Sequence, residues 1–343
     1  MQASIRVGLA GTILAICAFA QRGEANEIAD FYSGKSVSIV VGHDQQGGHD
    51  LYARVLARHL GRHIPGSPSV VVQNMAGGSG IIAANWLENI APKDGTVMAT
   101  FVHTVAFEPL FGNTHAKYDP AKLNWIGNME ESTGICGVAQ SSGITTFDDL
   151  FIKEGVFGAT GATGTLAQYP RAVKNLTGAR LKVVHGYKGS PAVKFAMARG
   201  EVHGICGLPL TTVETFWRDE YKSGEFKPIL QLSGKPHPKL KRLPHIDSYA
   251  KTGQDKQVFG LIFGAQVLGR MYVSPSSQPP PRTKALRTAL METIKDKAFM
   301  ADAVKTKIAV EPMSGEDVAA LIAEYSAVSP AVVERAKQAT SRN

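Results

Sequence analysis

Two adjacent glycines, Gly47 and Gly48, form the part of this sequence best suited to hold an anion. They follow an apolar run at 37–41, which is typical of a buried parallel strand. A helical pattern follows at 51–60, with apolar residues on one side and Asp50 at the expected N-cap. Glycines leave backbone N–H groups uncovered, and a helix N-terminus attracts negative charge. The stretch therefore predicts an anion site built from backbone amides.

Two further glycine-rich loops repeat this order of strand, loop and helix. One lies at 73–80 and the other at 158–165. Ligands of open α/β folds bind outside the carboxyl ends of the strands, where such loops lie. Any one loop alone is explained as a turn, but three loops in equivalent places, spread over two domains, predict a cleft lined by helix N-termini. Such a cleft suits a carboxylate.

Three histidines, His43, His49 and His103, flank the predicted cleft. They could donate hydrogen bonds to a carboxylate or cap backbone groups, and the residues alone favour neither interpretation. His59 and His63 are four residues apart and could share a helix face as metal ligands, but the sequence offers no third ligand nearby. Histidines stabilised by the dipole at a helix C-terminus explain that pair better, so no metal is expected.

Catalytic and cofactor chemistry finds little support in the sequence. The stretch 78–83 fits the G-x-G-x-x-A dinucleotide pattern, but five residues separate Val72 from Gly78 and no acidic residue ends the next strand. The sequence contains no G-x-S-x-G elbow, HExxH helix or P-loop. Asp44 and Asp50 are close in sequence, but capping is the better role for Asp50. We therefore expect neither an enzyme nor a cofactor.

The composition indicates an exported globular protein. Of 343 residues, 44% are apolar and 19% charged, which is enough for two folded domains. The net charge is +8, but no run of lysine and arginine is long enough to track a nucleic acid, so that partner is not expected. Arg6, an apolar stretch at 7–19 and a small-residue site ending at Ala20 predict a signal peptide, with cleavage after Ala25 as the alternative.

Two cysteines, Cys136 and Cys206, remain after cleavage, each in a Gly-Ile-Cys-Gly setting. In an oxidising compartment they are a candidate disulfide. Two small buried side chains in separate strands explain the pattern equally well.

Strand and helix signals alternate along most of the chain, which predicts an α/β protein. The order of elements in the first hundred residues recurs in the middle third, so two similar α/β domains are expected. Toward the C-terminus, 281–299 and 314–337 are predicted to be helical.

Several stretches, taken in order, resemble the Bug family, the TctC-like extracytoplasmic receptors of tripartite tricarboxylate transporters. The family opens with a strand, a loop ending in Gly-Gly-x-Asp and a helix with an Ala-Arg step, which here are 41–50 and 53–54. The remaining matches are the Glu-Asn-x-x-Gly-x-Gly-Gly stretch at 73–80, the Pro-Asp-Gly-Tyr-Thr turn at 92–96, the Gly-Ser-x-Gly-x-Gly loop at 158–165 and the Pro-Tyr-Lys-Gly step at 186–190.

This resemblance implies a type II periplasmic-binding-protein fold, with two α/β lobes around a ligand cleft and strands that cross between them. On that basis 26–124 and 229–343 form the first lobe, 125–228 forms the second, and 1–25 is the signal peptide. The protein is then expected in the periplasm, as a monomer.

The resemblance also implies how a ligand is held. Backbone amides of Gly47, Gly48 and His49, at the start of the helix that contains Asp50, would bind one carboxylate. The other expected ligand-binding residues orient that carboxylate, line the wall of the cleft or close it from the second lobe: Asn74, Ser79, Thr100, His103, Thr104, Thr160, Thr163, Thr165, Tyr187 and Ser190.

Two positions depart from the family pattern. Its proline-rich first loop is replaced by the polar stretch 43–46, and the acidic residue of its Gly-Glu-Val-Asp step is His203. Both are expected near the variable end of the ligand.

The function implied is a receptor that captures a small organic acid and delivers it to membrane permease subunits. Two alternatives remain: a ligand sensor that serves a signalling partner, and an exported α/β enzyme. Permease genes beside this one would favour transport, an adjacent sensor gene would favour signalling, and turnover of the bound acid would indicate an enzyme.

Overall fold

The computed structural model describes residues 26–341. The predicted signal peptide at 1–25, with its cleavage after Ala20 or Ala25, lies outside the described residues. The strands are β1 (Ser36–Val41), β2 (Ser69–Asn74), β3 (Val97–Thr100), β4 (Asn124–Asn128), β5 (Gly134–Ala139), β6 (Gly155–Gly158), β7 (Leu181–Val184), β8 (Gly204–Pro209), β9 (Phe226–Leu232), β10 (Met271–Ser274) and β11 (Met313–Ser314).

The helices connect and cover these strands. They are α1 (26–32), α2 (Gly48–Leu60), α3 (Ile81–Asn89), α4 (Thr165–Thr177), α5 (Ser190–Ala198), α6 (Leu210–Phe216), α7 (Arg218–Ser223), α8 (Gly253–Phe263), α9 (Pro280–Lys295), α10 (Lys297–Thr306), α11 (Gly315–Ser326) and α12 (Pro330–Thr340). No helix in the described part of the chain is long and apolar enough to cross a bilayer.

The first sheet has the strand order β11-β4-β10-β3-β1-β2. Strand β1 is parallel to β2 and β3, whereas β10 is antiparallel to β3 and β4. Side chains of β1 alternate between faces, so Val37, Ile39 and Val41 pack with α2 while Val40 packs with α3. Because helices cover both faces, the strand is mostly apolar, with Ser38 between Val37 and Ile39. We call this sheet and its helices the first lobe.

The second sheet has the order β7-β6-β8-β5-β9, and with its helices it forms the second lobe. Strand β6 is parallel to β7 and β8, and β5 is antiparallel to β8 and β9. Cys136 and Cys206 face each other in β5 and β8, where the structure joins them in a disulfide. The prediction of two α/β lobes is confirmed, and the chain crosses between them at 129–133, between α8 and β10 at 264–270, and between α11 and α12 at 327–329.

The boundaries of the lobes differ from those predicted. Strand β4, expected in the second lobe, pairs within the first sheet, and most of β9, expected in the first lobe, pairs within the second. Helices α8 and α12 were also expected in the first lobe, yet their apolar faces pack against α4 of the second. Phe263 meets Tyr169 edge-on, with ring centroids 4.9 Å apart. Burial of these apolar faces holds the two helices in the second lobe, although both come late in the chain.

Three predicted helix boundaries were wrong. The segment 281–299 contains nearly all of α9 and the start of α10, because the Asp296 side chain accepts the backbone N–H groups of Ala298 and Phe299 and so starts a new helix. The segment 314–337 divides at Ser329, the N-cap of α12. Helix α2 begins at Gly48 with Gly47 as its N-cap, so Asp50 lies in the first turn instead of capping it.

Candidate ligand-binding cleft

The lobes meet where the loops after β2, β3 and β6 face one another. The Thr163 hydroxyl donates to the carbonyl of Gly78 at 3.0 Å, and the Thr104 hydroxyl donates to the carbonyl of Thr163 at 3.0 Å. His103 Nε2 lies 2.7 Å from the hydroxyl of Tyr169 in α4. These contacts join the two lobes directly, so the structure describes the closed form of the cleft.

The N-terminus of α2 forms the first-lobe side of this cleft. Its N-cap, Gly47, has an extended backbone and makes no side-chain capping bond. The amides of the first turn, beginning with Gly48 and His49, have no carbonyl partner within the helix. Backbone donors and the helix dipole therefore point in one direction, as an anion site requires.

Asp50 and Asn74 hold this loop in place. The Asp50 carboxylate accepts the backbone N–H of Gln46 at 3.1 Å, the Arg54 Nε at 2.9 Å and the Asn74 Nδ2 at 2.9 Å. Burial opposes its ionisation, but these hydrogen bonds outweigh burial and lower the pKa of Asp50. Asn74 Nδ2 also donates to the carbonyl of His43 at 3.0 Å. Both N–H bonds of that amide are thus used within the loop, which indicates a positioning role for Asn74.

The imidazoles of His43, His49 and His103 lie together beside the first turn of α2. The rings of His43 and His49 stack with centroids 4.8 Å apart, and His49 Nδ1 lies 3.4 Å from the Thr100 hydroxyl. Burial, followed by the positive charge of Arg270, lowers the pKa of His43 to about 4 and that of His103 to about 3. The pKa of His49 lies well below its ordinary value for the same two reasons. All three are neutral at pH 7, so each offers one donor and one acceptor.

Arg270 is a site residue that sequence reasoning missed. It lies just before β10, yet its guanidinium is buried beside the first turn of α2. The guanidinium carbon lies 4.8 Å from the ring centroid of Tyr52, and Nε lies 3.4 Å from the Glu130 carboxylate. Arginine is rarely fully buried unless its charge is paired. A lone arginine within the apolar stretch 258–273 was therefore the signal available, but nothing in the sequence links it to Gly48.

The second-lobe loop supplies hydroxyl groups. Thr160 and Thr163 lie on it, and Thr165 is the first residue of α4 and is buried. Ser79 faces this loop, because a methyl group at position 161 would lie 2.7 Å from the Ser79 hydroxyl oxygen. Ser79 has a φ of 55°, a left-handed conformation that turns its side chain toward the second lobe.

Tyr187 and Ser190 follow β7, the strand beside β6 at the edge of the second sheet. Tyr187 packs against the second lobe's own apolar cluster, and its amide donates to the carbonyl of Ala159 at 3.2 Å. Ser190 is the first residue of α5. Their role in closing the cleft stays a prediction.

His203 is not near the cleft. Its Nδ1 accepts the backbone N–H of Val156 at 3.1 Å, at the start of β6, while the cleft lies beyond the opposite end of that strand. The expectation that His203 contacts the variable end of a ligand is therefore wrong. His43, from the other stretch that departs from the family pattern, does lie in the site.

His59 and His63 contact acidic side chains from another helix. His59 Nε2 lies 2.8 Å from Asp302, and His63 Nε2 lies 3.0 Å from Asp296. Within 26–341, no group of three or more histidine, cysteine, aspartate or glutamate residues could hold a metal ion.

A pocket of about 370 Å³ lies elsewhere, on the outer side of the second lobe. Apolar side chains such as Phe195 and Trp217 contribute to its lining, and its lysine, Lys194, is paired with Glu220 at 2.5 Å. Because that lysine is already paired, the pocket should attract a small acid less strongly than the cleft does. We therefore place the candidate site in the cleft.

The model of the tripartite tricarboxylate transporter family receptor matches residues 52–337. The chain belongs to this family of solute-binding receptors. The UPF0065 protein in the gbd 5′ region of Cupriavidus necator is 23% identical over 337 residues, covering 96% of this chain and 95% of that protein.

Solved structures share the two-lobed fold. The Rpa4515 protein of R. palustris with adipate has a TM-score of 0.68 and 22% identity, covering 88% of this chain and 97% of that one. MatC of Rhodopseudomonas palustris with bound malate has a TM-score of 0.66 and 14% identity, covering 90% and 99%. The fold implied by the resemblance, a periplasmic-binding-protein fold with two lobes around a cleft, is confirmed.

Proposed function

We propose that this protein is a periplasmic receptor that binds a small organic acid and delivers it to the membrane subunits of a tripartite tricarboxylate-type transporter. The observation that carries the proposal is the uncapped N-terminus of α2, which lies beside the end of β3, where Thr104 hydrogen-bonds the second lobe. Membership of the receptor family and the acids bound by two structural relatives, adipate and malate, support the same conclusion.

One carboxylate of the ligand would bind the amides of Gly47, Gly48 and His49. Around it, Thr100, His103 and Thr104 would line the wall of the cleft, with Ser79, Thr160, Thr163 and Thr165 opposite. Tyr187 and Ser190 would complete the second-lobe side. Contacts with both lobes favour the closed form, so binding and closure are coupled.

The ligand is expected to leave the protein unchanged. The titratable groups that line the cleft are neutral imidazoles, the buried Arg270 and carboxylates that already have partners, an arrangement suited to holding a solute. Delivery, export to the periplasm and a monomeric state remain part of the proposal.

Thermal melts with acetate, malate, adipate and citrate at equal ionic strength test this function, with adipamide as the uncharged control. An acid present at a hundred times its Kd should stabilise the fold by about 2.7 kcal/mol. Mass spectrometry after an overnight incubation should recover the acid intact. If adipamide raises the melting temperature and no acid does, the proposal is wrong, and recovery of a product would indicate an enzyme.

A further inference from the structure

Arg270 reaches the N-terminus of α2 from a distant part of the chain. Only 4% of the residue is exposed. A methyl group at position 48 would lie 2.7 Å from its Nη2, so the guanidinium approaches this closely only because residue 48 is glycine. Nη2 therefore faces the first turn of the helix, where the free amides are.

The guanidinium has few partners for a buried cation. Nη1 donates to the carbonyl of Gly269 at 2.6 Å, whereas Nε is buried and has no hydrogen-bond partner. Arginine carries five N–H donors, and leaving donors of a buried charge unused is costly. The protein thus keeps a cation in a place where its own groups do not satisfy it.

Glu130 balances the charge of Arg270 without using its donors. The residue is completely buried, and its Oε2 lies 3.4 Å from Arg270 Nε with no hydrogen bond. Its Oε1 accepts the hydroxyl of Thr211 from the second lobe. The ion pair is therefore half formed and fixes the guanidinium from one side, leaving Nη2 for another partner.

On the other side, two positive features face each other. A helix N-terminus carries roughly half an elementary charge, and the guanidinium carries a full one. The three imidazoles nearby are neutral and supply no negative charge. An anion between the guanidinium and the amides would satisfy both, with the short, strong hydrogen bonds typical of charged partners.

We propose that Arg270 determines the specificity of the cleft: its Nη2 donates directly to the ionised carboxylate of the ligand, alongside the amides of Gly48 and His49. This inference rests on the proposed function and adds a requirement on the chemistry of the ligand. Ligands must carry an ionised acid group at this end, and amides and esters are excluded. Glu130 is a positioning residue that aims the guanidinium.

A pair of glycine substitutions tests the geometry. Gly48→Ala keeps every backbone N–H but puts a methyl group against the movable end of Arg270, so the guanidinium must shift. Gly253→Ala is the matched control, because Gly253 is also the first residue of a helix and a methyl group there meets nothing within 4 Å. Calorimetric titration with the acid that most stabilises the unaltered protein should give a Kd at least tenfold weaker for Gly48→Ala and unchanged for Gly253→Ala.

Substitution of the arginine itself tests the charge. Arg270→Lys should weaken binding about tenfold, because lysine keeps the positive charge but lacks the planar guanidinium that can donate two parallel hydrogen bonds to a carboxylate. The double variant Arg270→Gln with Glu130→Gln removes both buried charges together and should weaken binding at least a hundredfold. Arg287→Gln, which loses bonds to Trp125 and Glu316 far from the cleft, should bind as the unaltered protein does.

The outcomes separate this inference from the proposed function. If folded Gly48→Ala and the double variant bind the acid within threefold of the unaltered protein, Arg270 is not a ligand and only this inference is wrong. If the double variant does not fold, Gly48→Ala decides alone. If none of acetate, malate, adipate and citrate binds the unaltered protein, the proposed function is wrong and the inference is wrong with it.

Discussion

The glycine loop at 42–47 and the one at 159–164 share one local plan but differ in their charges. Each follows a parallel strand and precedes a thirteen-residue helix whose N-cap is a glycine without a side-chain cap. The first carries His43 and lies beside Arg270 and two further imidazoles, whereas the second carries threonine hydroxyls and touches the opposite lobe. The same backbone device thus provides an electrostatic site in one lobe and a closing contact in the other.

The largest effect should come from putting a negative charge into the first loop. Gly48→Asp would place a carboxylate beside Nη2 of Arg270, where it occupies the site proposed for the ligand. We expect carboxylate affinity to fall at least a thousandfold, with no loss of melting temperature because the new charge is paired. Calorimetry and thermal melts measure the two quantities. Retained binding would show that the anion site lies elsewhere.

The imidazoles beside the first loop should make stability depend on pH. Their pKa values are lower in the folded protein than the ordinary value of 6.5, so the unfolded chain takes up protons first as the pH falls. We expect the free energy of unfolding to decrease by roughly 1–2 kcal/mol per histidine between pH 7 and pH 5. Urea unfolding at each pH measures this. His103→Gln should flatten the profile, and an unchanged slope would contradict the assignment.

Removal of the charge that holds the first loop should have a smaller effect. Asp50→Asn weakens the bonds to Arg54 and the Gln46 amide, and Arg54 is exposed enough to be hydrated. We expect a loss of about 1–2 kcal/mol in the free energy of unfolding, measured with urea. Glu201→Gln is the control, because its pair with Arg199 is on the surface and should contribute little. Equal effects of the two changes would mean that Asp50 does not organise the loop.

A substitution in the second loop should have the smallest effect, and it should change ligand binding without changing stability. Thr163→Val removes the hydroxyl that donates to Gly78 across the cleft. We expect Kd to weaken about threefold to fivefold, the amount of one neutral hydrogen bond, with little change in melting temperature. Ser142→Ala, at the surface of the same lobe, controls for a general effect. A loss as large as that of Gly48→Asp would erase the distinction between the loops.

Local pattern was enough to predict the glycine loops, the strands that precede them and the two-lobed α/β plan, because these depend on neighbours in sequence. The direction of α2 and the cluster of His43, His49, Thr100 and His103 follow from that plan. The start of α2 was not predicted correctly, since Gly47 serves as the N-cap without a side chain. The Asp50 carboxylate instead accepts the backbone N–H of Gln46.

Arg270, Glu130 and the placement of α8 and α12 were beyond such reasoning. The first two come from separate crossing segments, and only the packing of the first sheet brings them to Gly48. The two helices join the second lobe because their apolar faces match α4, a pairing that no local pattern encodes. Contacts between distant segments carry the charge of the site, and a single sequence does not specify them.

Glu130 follows β4 and Arg270 precedes β10, neighbouring strands of the first sheet. When the lobes separate, Thr163 moves away from Gly78, but the guanidinium stays with the amides of α2. We therefore expect the open receptor to present its anion site already assembled. The association rate would then depend on the first lobe and fall with added salt, while the second lobe would govern how long the ligand stays.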